Sequence, residues 1–148
     1  MNAENKNSSS VKLTRAISIS LLFILGIPAL FGGAALIIEP SGHSLGMDTA
    51  ALTGTVFSDY LLPGVILFLA LGVLGTSAAI LTLGKHKNYP LLVLYQGVVL
   101  TIWIMVQIYL LPEMHVLQIV YGFIGLLLII LGNYLRLKAQ QTTLKVFY

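Results

Sequence analysis

The stretch that decides the fold runs LLPGVILFLALGVLGTSAAILTL at residues 61–83, GKHKNY at 84–89 and PLLVLYQGVVLTIWIMVQIYLL at 90–111. Neither long run contains Asp, Glu, Lys, Arg or His, and each matches the roughly twenty residues that cross a hydrocarbon layer of about 30 Å. Lys85, His86 and Lys87 mark the short link between them as a segment that stays in water. The three pieces read as a membrane hairpin. Working outward, apolar runs at about 16–38 and 116–135 give two more spans, and the short link 112–115 folds the last two into a second antiparallel hairpin. The sequence therefore predicts an all-α membrane protein, a four-transmembrane-helix bundle over residues 15–136. Residues 1–14 and 137–148 form cytoplasmic tails, and 39–60 form a structured outer loop between the first two helices. The first tail, with Asn5, Asn7 and Ser8-Ser9-Ser10, lacks an apolar period and is expected to be mobile.

Composition demands the same solvent. The chain is 57% hydrophobic and 9% charged, whereas soluble domains carry roughly a quarter charged residues. All eight Lys and Arg residues fall on one side once the spans are threaded. Lys6, Lys12 and Arg15 precede the first span, Lys85 and Lys87 sit between the second and third, and Arg136, Lys138 and Lys145 follow the fourth. The positive-inside rule then puts both termini in the cytoplasm. A net charge of +3 confined to these segments sets topology and meets anionic headgroups, so no nucleic-acid partner is expected. The absence of cysteine removes disulfides, thiolate metal sites and thiol redox chemistry. The apolar run 16–38 exceeds a signal-peptide core and lacks a clear cleavage pattern, so it reads as a retained helix.

Local punctuation supports these limits. Ser58-Asp59 with Pro63 opens span two, with Asp59 as an expected N-cap, and Asn88-Tyr89-Pro90 opens span three. Tyr60, Tyr89, Tyr109 and Tyr134 fall near span ends, where amphipathic rings favour the headgroup level. Pro28 inside span one removes a backbone donor and is expected to kink it. Small residues recur at helical spacing: Gly26, Ala29 and Gly33; Gly64, Gly72, Gly75 and Ala79; Gly122, Gly125 and Gly132. Such stripes mark packing seams, because lipid supplies little hydrophobic drive for helix association.

No ionisable residue lies inside a span, which argues against proton relays and ion-coupled pumping, and no His pair is placed to ligate haem. No cofactor is expected. The polar groups within the spans are Gln96, Trp103, Gln107 and Gln118. Eleven residues at 100° bring Gln107 within about 20° of Gln96 on one helix face. Gln118 starts span four at a depth similar to Gln107, so an amide pair between them is expected, contributing about 0.6 kcal/mol. Trp103 lies too deep for an interfacial belt, so its indole N–H is expected to find Thr82 or a backbone carbonyl. These groups serve either as glue between helices or as the polar lining of a ligand cavity.

The outer side gathers Glu39, His43, Asp48, Asp59, Glu113 and His115. No short ligand spacing such as H-x-x-x-H occurs among them, so they make a weak case for a metal and none is assigned. The loop is long for a connector, which suggests purpose. Asp48 followed by residues 49–52 reads as a short capped helix, and Leu45, Met47, Leu52, Val56 and Phe57 give the loop an apolar underside that folds back as a lid or lies in the interface. His43, Asp48, Phe57, Asp59 and Tyr60 are the expected contact residues.

Leu45-Gly46-Met47, then Leu52, Gly54-Thr55, Phe57, Asp59-Tyr60-Leu61 and Pro63-Gly64, with Trp103 and Gln107, resemble a class of small four-span bacterial membrane proteins with no assigned activity. The resemblance covers the spans and not the tails, and implies residence in the bacterial inner membrane. The leading expectation for function is a non-enzymatic accessory protein whose loop and small-residue seams contact another membrane protein or a second copy of itself. The alternative is binding or passage of a neutral or lipid-like molecule in an intramembrane cavity between spans two, three and four, lined by Gln96, Trp103 and Gln107. A third reading, an outward-facing metal enzyme using His43 and His115, has only the loose cluster of side chains behind it.

Overall fold

The computed structural model describes residues 3–110 and 116–146, and these are helical apart from the long connection 39–60 and the short one at 84–88, with no strand among them. Helix α1 spans Ala3–Ile38, α2 Leu61–Leu83, α3 Tyr89–Leu110 and α4 Val116–Val146. Each contains a segment long and apolar enough to cross a membrane: Asn7–Ile38, Leu61–Leu83, Tyr89–Tyr109 and Val116–Gln141. The second of these coincides with the sequence expectation. Helix α1 starts at Ala3, through the segment expected as an irregular tail, and α4 runs on through 137–146. Side-chain bonds follow α1 into its span, with Thr14 Oγ1 donating to the Ser10 carbonyl and Ser18 Oγ to that of Thr14, both at 2.9 Å. The link 112–115 lies outside the described residues.

The closest partners are α1 with α2 and α3 with α4, while α1 also packs on α4 and α2 on α3. The bundle is therefore an up-and-down square whose diagonals are α1/α3 and α2/α4. Leu22, Leu25 and Ala29 of α1 meet Leu71, Ala78 and Ala79 of α2, Val93 and Leu100 of α3 and Leu128 of α4 in one buried cluster.

Glycine sets the interhelical distances. A Cβ at Gly33 would stand 2.6 Å from the Phe68 nitrogen, and one at Gly26 would stand 2.6 Å from Thr76 Oγ1. Across the other hairpin, a Cβ at Gly132 would meet the Leu94 nitrogen at 2.5 Å, and one at Gly97 the Ile129 nitrogen at 2.7 Å. Real Cβ atoms do not approach backbone so closely, so these glycines let helices touch along their main chains. The seams read from sequence are thus taken up inside the chain, including Gly72 against Leu30 and Gly75 beside the Gln96 amide.

Helix α2 is not uniformly α. Residues Leu67–Val73 form a π-helical segment, with the Leu74 N–H donating to the Leu69 carbonyl five residues back. Such wide turns shift the register of backbone pairing and frequently occur at functional sites.

Candidate functional site

Residues 39–60 fold into a compact cover over one end of α1 and α2. The Glu39 carboxylate accepts from Ser41 Oγ at 3.2 Å and from the Ser44 N–H at 3.1 Å. Turns of 3₁₀ helix follow at His43–Leu45 and Thr49–Leu52. Asp48 caps the second, its Oδ1 accepting from the Ala50 N–H at 2.9 Å, as the sequence predicted. Asp59 likewise accepts from the Leu61 N–H at 2.9 Å and so caps the start of α2 from one position before the formal cap residue, Tyr60.

Tyr60 ties the cover down. Its N–H donates to the Pro40 carbonyl and its hydroxyl to the Asp48 carbonyl, each at 2.9 Å. The ring lies against Gly42, where φ is +78° and a Cβ would stand 2.9 Å from Tyr60 Cδ2, so both conformation and space select glycine there. Tyr60, 4% exposed, forms a second buried cluster with Leu36 and Leu52, flanked by Met47, Phe57 and Leu67. Burial, and secondarily the Asp48 carboxylate, raise the Tyr60 hydroxyl above the ordinary tyrosine value of 10.0. The expected apolar underside is therefore supplied by Met47, Leu52 and Phe57. Leu45 and Val56 turn outward instead, Val56 being 85% exposed, close to Gly46 and Gly54, which both take positive φ.

Under this cover lies a cavity of about 80 Å³, against the roughly 10–15 Å³ that one water requires. Leu36 of α1, Pro63 and Leu67 of α2, and Trp103, Val106 and Gln107 of α3 form its walls, and the cover contributes Met47, Leu52, Phe57 and Tyr60. None of these is a carboxylate, amine, guanidinium or imidazole. Neither Trp103 nor Gln107 makes a hydrogen bond to a described residue.

Comparison with protein-family models, curated proteins and solved structures finds no match to this chain. The chemistry of the site therefore rests on these residues.

The polar residues singled out in the spans divide between two tasks. Gln96, 4% exposed, donates through Nε2 to the Ala70 carbonyl at 3.0 Å, bridging α3 to the π-helical segment of α2. It is absent from the cavity wall, although helical geometry puts it on the face that bears Gln107. The cavity accordingly lies between α1, α2, α3 and the cover, nearer the loop than the expected position between spans two, three and four. Gln118 is buried at the start of α4. The expected Gln107–Gln118 pair does not form, since Gln107 bonds no described residue. Nor does Thr82 receive the indole N–H of Trp103: the Thr82 hydroxyl turns back on its own helix, donating to the Ala78 carbonyl. Of the loop residues, Phe57 and Tyr60 reach the cavity, Asp48 and Asp59 serve as caps, and His43 stays exposed. Glu113 and His115 lie outside the described residues, and among the described ones no three of His, Asp and Glu approach one another closely enough to share a metal.

What the sequence missed is the apolar wall of Leu36, Pro63, Leu67 and Val106, and the Ala70 carbonyl that receives Gln96. The wall residues carry no signal beyond those of any lipid-facing position. A π-helical turn has no residue signature in this stretch.

Proposed function

We propose that this protein is a multi-pass protein of the bacterial inner membrane that binds a neutral, lipid-like molecule in the cavity beneath the 39–60 cover. It does so without catalysis or coupling ions. The observation that carries this reading is an apolar, uncharged cavity bordered by two polar side chains, Trp103 and Gln107, that have no partner among the described residues. Ligand sites are typically apolar concavities with a few polar groups that fix orientation. The concentration of basic residues at the end of the bundle away from the cover supports cytoplasmic termini and an outward-facing cover. Because the chain has no native cysteine, single substitutions Val56→Cys and Lys85→Cys read the orientation by labelling with a membrane-impermeant maleimide in intact cells. Labelling at Val56→Cys alone is the expected result.

Native mass spectrometry of the protein released with its surrounding lipid tests the binding reading. A reproducible small-molecule mass on the chain, lost on Trp103→Ala with Gln107→Ala, is expected. A chain that never retains a small molecule overturns it.

A second reading, contact with another membrane protein or a second copy, draws on the outward-turned Leu45 and Val56 of the cover. The glycine seams no longer support it, since their open faces are filled by the chain's own helices. A second polypeptide or defined oligomer in the same spectra, with no small molecule, would favour it.

A further inference from the structure

The character of the cavity wall restricts its ligand further, granted that the cavity binds one. An ionised headgroup finds no counter-charge there, because the lining contains no Asp, Glu, Lys, Arg or His. Burying an unpaired charge in such surroundings is strongly unfavourable, so the part of the ligand that enters is neutral. A plain hydrocarbon fits the apolar walls but leaves two polar groups without partners. The indole N–H of Trp103 can only donate, while the Gln107 amide donates through its nitrogen and accepts through its oxygen. The third polar group of the wall, the Tyr60 hydroxyl, is already committed to the Asp48 carbonyl at 2.9 Å. Both unpartnered groups can donate, and Trp103 can do nothing else, so the one partner that serves the two together is an acceptor.

Trp103 and Gln107 stand four residues apart on α3, which sets them about 40° apart around the helix and about 6 Å apart along it. That spacing lets one carbonyl-bearing group lie against both. The volume of about 80 Å³ is smaller than a whole lipid, so the cavity takes one polar segment and the adjoining methylenes while the rest of the chain extends out. We infer that the cavity holds an apolar chain bearing a neutral ester carbonyl, whose oxygen accepts from the Trp103 indole and the Gln107 amide. Such an ester belongs either to a glycerolipid of the bilayer or to a free acyl ester, and the chemistry presented to the site is the same.

Trp103 is the chain's single tryptophan and lines the cavity, so tryptophan fluorescence reports on that one side chain. The full-length protein in nanodiscs of ether-linked phosphatidylcholine, which contain no ester, is titrated with methyl 9,10-dibromostearate and separately with 9,10-dibromo-octadecane; bromine quenches a nearby indole. Saturable quenching by the ester at about thirtyfold lower concentration than by the hydrocarbon is expected, the size of two net hydrogen bonds. In Gln107→Met, which keeps the length and loses the amide, that preference should fall to about fivefold, the share of the bond from Trp103. Saturable quenching by both probes at equal concentration would leave the cavity a ligand site and overturn the ester assignment. Absence of saturable quenching by either would overturn both. Repeating the titration in ester-linked phosphatidylcholine separates the sources: weaker apparent binding of the probe identifies the bilayer's own lipid as the competing ligand, and unchanged binding identifies a free ester. The contrast between the two probes in the unaltered protein holds even if the variant fails to fold.

Discussion

Where α3 crosses α4, Gly97 and Gly132 bring main chain against main chain, and no atom could be added without moving a helix. Where the 39–60 cover meets α1, α2 and α3, side chains of every size do the packing, and they leave a cavity of about 80 Å³. The two regions answer different demands on one small chain. Helices in lipid gain little from hydrophobic association, so contact between them depends on closeness, and glycine provides it. The cover packs through Leu52, Met47, Phe57 and Tyr60 and gains from removing those side chains from water, which allows an imperfect fit. Close packing gives rigidity, and the looser cover leaves the space that we propose a ligand fills.

The largest effect expected is at the seams. Gly132→Leu or Gly33→Leu must displace a neighbouring backbone and should destabilise the bundle by about 3 kcal/mol or abolish folding. Gly122→Ala, whose Cβ would meet Ile104 Cγ2 at 3.5 Å, is the control and should stay near the parent stability. Thermal melts in mild detergent measure both. Equal stability of Gly132→Leu and Gly122→Ala would erase the distinction between the two regions.

A smaller effect, about 1 kcal/mol, is expected of Tyr60→Phe, which keeps the ring and loses the hydrogen bond to the Asp48 carbonyl. Hydrogen exchange should quicken in residues 40–59 and stay unchanged in α3 and α4. Faster exchange throughout would mean that cover and seams unfold as one unit.

Smaller again is the contrast between the two amides of α3. Gln96→Leu removes a bond to Ala70 and should cost about 0.6 kcal/mol, up to about 1.7. Gln107→Leu breaks no bond to a described residue and should leave the melting temperature within about 1 °C while weakening retention of bound lipid. The reverse order would exchange the roles of glue and lining.

The mildest test is of pH. The folded state holds the Tyr60 proton more tightly than the unfolded chain does. Its contribution is therefore constant below the ordinary tyrosine value of 10.0 and is lost as pH rises through the higher folded value. Exchange in the cover should accelerate in that alkaline window in the parent and show no such step in Tyr60→Phe.

Much of this architecture is legible before any coordinate. Span two at 61–83 follows from length and apolar continuity, and the caps at Asp48 and Asp59 from the need of helix starts for a side-chain acceptor. The candidate site is legible only in part. Trp103 and Gln107 stand out as polar residues in an apolar run, and Phe57 and Tyr60 as bulky residues in a long loop. Helical periodicity places Gln96 beside Gln107, yet their neighbours differ: Gln96 faces the wide turn of α2, and Gln107 faces the cover.

The sequence by itself determined that four helices long and apolar enough to cross a membrane would form, because solvent preference and backbone hydrogen bonding depend on local composition. It also marked the residues at which those helices could touch. Which helix each glycine meets, that Gln96 would find the Ala70 carbonyl while Gln107 would find no partner among the described residues, and that the cover would close over a cavity were decided by the tertiary structure. Those outcomes depend on which side chains come together from distant segments, and no local pattern records the distance between them.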